Sequence, residues 1–103
     1  MYCEKFKVNG CELMKEEFEK NAEVFEKEYY MFAIKVGLKI GYYRRVADMT
    51  QQELADATGL SHVYIGQLEG KSSNNSPSLK SLLKISRALG VKPHKFIDVD
   101  DDD

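Results

Sequence analysis

The chain has no tryptophan, two prolines, two cysteines and two histidines in 103 residues. Each scarcity closes off a class of protein. Cys3 and Cys11 lack C-x-x-C spacing, and one short-loop disulfide would add little that a core could not supply. Zinc needs more ligands than these, so two reduced thiols and no metal are expected. His62 and His94 stand far apart, and neither has a carboxylate or nucleophile at a helical spacing for general-base work. His94, after Pro93, reads as a surface residue. The expectation is therefore a protein that is not an enzyme and needs no cofactor. No apolar run is long enough to span a bilayer, and the opening MYCEKFKVNG lacks the apolar stretch of a signal peptide. A cytoplasmic location with no membrane partner is the default.

Charge of either sign is plentiful but unevenly placed. The net charge of −2 conceals three regions. Residues 1–32 hold five Lys and eight Glu, net −3; residues 33–97 hold ten Lys or Arg and four Asp or Glu, net +6; residues 98–103 hold five Asp, net −5. A basic domain between acidic ends fits a polyanionic partner. An imbalance of this size also occurs as ordinary solvated surface.

Residues 2–8 alternate weakly and run into Asn9-Gly10, the pattern of a short strand and turn. From about Glu12 the period becomes helical. Met14, Phe18, Ala22, Phe25, Tyr29, Phe32 and Val36 recur at spacings of three and four, with Glu and Lys between them. So many aromatics on one stripe must pack on the rest of the chain or on a second chain. Gly37 and Gly41 then lower helix propensity by about 1 kcal/mol each relative to Ala. The expected boundary falls there: an N-terminal extension over 1–32, a domain over 33–97 whose first helix covers about 38–47, and an acidic solvated tail over 98–103. After a polar loop at 71–76, Pro77 is expected in the first turn of a helix with Leu79, Leu82, Leu83, Ser86 and Leu89 on one face and Gly90 as its cap. Phe96 and Ile97 in a last short turn can plug the core.

The chemistry concentrates in TQQELADATGLSHVYIGQLEGK. Thr50 and Glu53 have the T-x-x-E spacing of a capping box, so a helix starts at Gln51. Leu54 points inward and Ala55 is small, where two helices can cross closely. Gly59 permits a left-handed turn at low cost, and Ser61 caps a second helix with Ile65 and Leu68 on its dry side. Two helices of about two turns joined around a Gly make a helix-turn-helix. At 100° per residue the side opposite Ile65 and Leu68 carries Val63, Gly66 and Gln67, with His62 on its flank. Such a helix enters the major groove with these residues nearest the base edges. Gln67 can pair bidentately with adenine, Val63 can meet a thymine methyl, and Gly66 would let the backbone approach the groove. Tyr64 points sideways, either covering the core edge or reaching a phosphate. Ser61, Lys71 and the loop residues Ser72, Ser73, Asn74 and Asn75 are phosphate candidates. The loop reads equally as a solvated connection.

The sequence resembles the lambda-repressor-like, XRE-type helix-turn-helix family. The resemblance runs from about Ile40 to Ile97. It rests on I-x-x-x-R (Ile40, Arg44), T-Q-x-E-L-A from Thr50, T-G-L-S from Thr58, I-x-x-L-E from Ile65, and P-S-L-x-x-L-x-x-I-x-x-A-L-G-V from Pro77. It implies an all-α fold, a compact five-helix bundle here carrying an additional N-terminal helix, and sequence-specific binding of double-stranded DNA, often by a dimer. It also implies that Gln51 and the free N–H groups beside it hold a phosphate oxygen, and that Arg44 and Glu69 form a partly buried ion pair. Arg44 has the alternative of a phosphate, or both. The chain departs from the family in running Glu69-Gly70-Lys71 directly into a longer polar loop.

Function readings of two classes follow. The first is a transcriptional regulator, a repressor, that docks helix 61–69 in the major groove as a homodimer joined through Phe18, Ala22, Phe25, Tyr29 and Phe32. The second is an antitoxin-like interaction module whose acidic arm or tail masks a protein partner. An exposed aromatic arm would point to a missing partner.

Overall fold

The computed structural model describes residues 22–70 and 76–99. Every regular element among them is a helix: α1 Ala22–Val46, α2 Gln51–Thr58, α3 His62–Glu69, α4 Leu79–Leu89 and α5 His94–Ile97. The strand expected near residues 2–8, the helix start near Glu12, Phe18, Lys71 with its loop, and residues 100–103 lie outside the described residues.

Gly37 and Gly41 do not break the first helix, contrary to expectation. α1 runs unbroken through both for 25 residues, about 37 Å at 1.5 Å per residue. The reason is packing. A Cβ on Gly37 would lie 1.9 Å from the Leu68 carbonyl oxygen of α3, and one on Gly41 would lie 3.2 Å from Glu69 Oε1. The two glycines let α1 press its backbone onto the end of α3, which offsets their poor propensity. The boundary expected at residues 33–38 therefore falls inside a continuous helix. α1 stops two turns later, where Asp48 takes a left-handed φ of 61°. The N–H groups of Asp48 and Met49 return to the carbonyls of Arg45 and Arg44, closing a Schellman turn on a residue other than glycine.

The core lies where α1 packs on α3, α4 and α5, with α2 joined to it through α3 and α4. Ile40, Leu54, Ile65, Leu68, Ile85 and Phe96 are fully buried. Each such side chain contributes roughly 1.5–3 kcal/mol. Phe96 meets Tyr43 of α1 edge to face at 5.4 Å. Ile97 faces outward instead of plugging the core, and Val99 closes it. α4 also differs from expectation. Pro77 precedes the helix, and Ser78 is its N-cap, accepting the Ser81 N–H. The buried arc turns toward Leu82, Ile85 and Ser86, leaving Leu79 84% exposed and Leu83 on the surface. The helix ends at Gly90, φ 70°, with Val91 N–H returning to Ser86.

Candidate nucleic-acid interface

The turn between α2 and α3 is built from short polar bonds. Thr50 and Glu53 close both halves of the capping box, at 3.0 and 2.8 Å. α2 ends at Gly59, φ 77°, whose N–H meets the Ala55 carbonyl. Thr58 pins the same bend: its hydroxyl donates to the Leu54 carbonyl at 2.8 Å and accepts the Leu60 N–H at 3.2 Å. Ser61 then caps α3, its Oγ accepting the Tyr64 N–H at 3.0 Å. Ala55 is buried between the two helices.

Three helices meet at one carboxylate. Arg44 of α1 donates from Nε to Glu69 Oε2 at 2.8 Å and from its terminal nitrogen to Oε1 at 3.1 Å, a bidentate fork. Its other terminal nitrogen donates to the Met49 carbonyl at 2.7 Å. Gln51, the first residue of α2, donates its amide to Glu69 Oε1 at 3.0 Å. The pair is nearly dry, with side-chain exposures of 11% and 8%. Arg44 thus spends three of its guanidinium N–H groups on protein acceptors. Gln51 is half-buried with its side chain turned to Glu69, and Gln52 and Glu53 of the same turn are exposed.

These ties fix the attitude of α3. Ile65 and Leu68 are buried, while Ser61, His62, Val63 and Gln67 are exposed, Val63 to 69%. The structure thus brings His62, Val63 and Gln67 onto one accessible side. Tyr64 is half-buried and packs against the core. Gly66 is half-buried, and a Cβ there would meet the Gln51 amide oxygen at an ordinary 3.6 Å. The protein itself has room for a methyl at Gly66.

A helix-turn-helix family model matches residues 40–96, more than half of the chain. The chain belongs to the helix-turn-helix family, in its XRE-type branch. This is a class of DNA-binding transcription regulators and not of enzymes. Among its relatives is an uncharacterized HTH-type transcriptional regulator of Methanocaldococcus jannaschii, 35% identical over 65 residues, covering 63% of this chain and 96% of the relative. The control protein C.SmaI of Serratia marcescens is 33% identical over 53% of this chain and 63% of its own length. The regulator SinR of Bacillus subtilis is 32% identical over 61% of this chain and 56% of its own length. Among solved structures, the restriction-modification controller protein C.AhdI from Aeromonas hydrophila superposes with a TM-score of 0.58 at 28% identity, over 62% of this chain and 94% of that one. The helix-turn-helix family match begins at Ile40, well inside α1.

Two contributors to the site escaped the sequence reading. One is the Gln51 bridge to Glu69. The other is the glycine pair: Gly37, Gly41 and Arg44 recur at spacings of four and three, on one face of α1. Small residues aligned with a pairing arginine are a readable sign of close helix approach. The stripe of Ala22, Phe25, Tyr29 and Phe32 is exposed in the single chain. It lies on the same flank as buried Val36, and the Tyr29 hydroxyl shares a 2.6 Å hydrogen bond with Ser76, at the start of the approach to α4. Among the described residues, no helix is long and apolar enough to cross a membrane.

Proposed function

We propose that the chain is a cytoplasmic, sequence-specific repressor that reads the major groove with His62, Val63 and Gln67 of α3. The single observation carrying this is the exposed polar side of α3, held outward by the Arg44–Glu69–Gln51 bridge. The Ser61 hydroxyl and the start of α2 flank that side as phosphate contacts, Lys71 is a further candidate by its sequence position, and Gly66 gives the backbone room to approach. Two recognition helices about one DNA turn apart call for a homodimer on a palindromic site. Selection from random duplexes tests the reading: it should recover a two-fold-related motif, and binding to it should weaken steeply with salt. Gln67→Ala should relax one position of the motif while leaving the fold intact. Recovery of no motif at low salt rejects the reading.

A second reading keeps one observation in its favour. Phe25 is 57% exposed on α1, in line with exposed Tyr29 and Phe32, an apolar stripe that points to another chain. An antitoxin-like role, with that surface on a protein partner, is compatible with DNA binding by α3.

A further inference from the structure

α1 carries a second apolar line, distinct from the aromatic stripe. Val24, Met31 and Leu38 recur every seventh residue and are 53%, 53% and 40% exposed. Seven residues return to within about 20° of the same direction on a helix, so the three share a face. That face is opposite the one that buries Ala33, Ile40 and Arg44. Glu28 and Lys35, also seven apart, run along one side of it. Val24, Lys27, Glu28, Met31, Phe32, Lys35 and Val99 line one open groove of about 490 Å³.

We propose that this face takes a second copy of the chain, with α1 antiparallel on α1 and the two-fold axis at Met31. Reversed about Met31, the line reproduces itself. Val24 meets the partner's Leu38, and Met31 meets the partner's Met31. On the flank, Glu28 comes within one residue of the level of the partner's Lys35, and Lys35 within one residue of the partner's Glu28, inside the reach of both side chains. In antiparallel helix pairs the same flank of each helix comes together, so both ionic contacts form at once, as an isologous interface requires. This deepens the reading of the chain as a homodimer and rests on it, but its test uses no DNA.

The test is the mass of the full chain by light scattering across a concentration series at low salt. Wild type should be a dimer. Glu28→Lys and Lys35→Glu should each raise the dissociation constant roughly tenfold, because each puts like charges across both contacts. The double variant E28K/K35E should recover wild-type association, and a mixture of the two single variants should form a heterodimer. Met31→Glu should give a monomer whose melting temperature matches that of wild type diluted into its monomeric range. A wild-type monomer overturns the proposal, as does a dimer indifferent to the charge variants or a double variant that fails to recover. A Met31→Glu chain that melts several degrees below monomeric wild type also overturns it, since the face would then be covered by the chain's own residues. None of these results depends on whether α3 reads DNA.

Discussion

The two halves of α1 have similar apolar content and opposite fates. From Val36 to Arg44 the helix buries Val36, Gly37, Ile40, Gly41 and Arg44 against the other helices. From Ala22 to Phe32 it exposes Val24, Phe25, Tyr29, Met31 and Phe32. The difference is not hydrophobicity. The back half has small residues where α3 must approach and an arginine where Glu69 waits, while the front half has bulk and no such neighbour among the described residues. An amphipathic pattern says that a face will be covered; complementary size and charge decide by what.

Five substitutions, in three tests, sharpen that contrast, in order of effect. Glu69→Ala should cost about 3–5 kcal/mol, because it strands the buried Arg44 guanidinium and releases Gln51. Gln67→Ala, on the exposed side of the same helix, should change stability by no more than about 0.5 kcal/mol. Urea melts that reverse this order would reject the bridge as the anchor of α3. Gly37→Ala should cost about 2–3 kcal/mol, since its methyl would collide with the Leu68 carbonyl at 1.9 Å. Phe25→Ala in the front half should shift stability by about 0.5 kcal/mol or less when measured in dilute, monomeric solution. Equal losses at the two positions would erase the distinction between the halves. Gly66→Ala separates folding from reading: it should stabilise by up to about 1 kcal/mol through helix propensity, while weakening DNA binding by crowding the groove. A stabilised variant with unchanged affinity would leave Gly66 no part in the approach to DNA.

Much of the fold was legible because its signals are local. The capping box at Thr50, the left-handed Gly59 and the Ser61 cap each depend on a few neighbouring residues, and the structure realises all three. Long-range packing was harder to read. Gly37 and Gly41 look like helix breakers until the backbone of α3 is set beside them. Pro77 looks like a first-turn residue until Ser78 takes the cap, which turns α4 and leaves Leu79 in solvent. In the site, the outward direction of His62, Val63 and Gln67 follows from helical periodicity alone. The attachment of Gln51 to Glu69 does not, because it joins residues 18 apart whose meeting is set by how α2 and α3 cross.

The decisive question is which surface meets the duplex. Backbone amide shifts of isotopically labelled chain, titrated with its selected duplex, test that directly. The largest changes should cluster on His62 to Gln67 and the first turn of α2, with the front half of α1 unmoved by DNA beyond any effect of dimerisation. Changes centred on residues 24–38 of α1, with α3 silent, would contradict it.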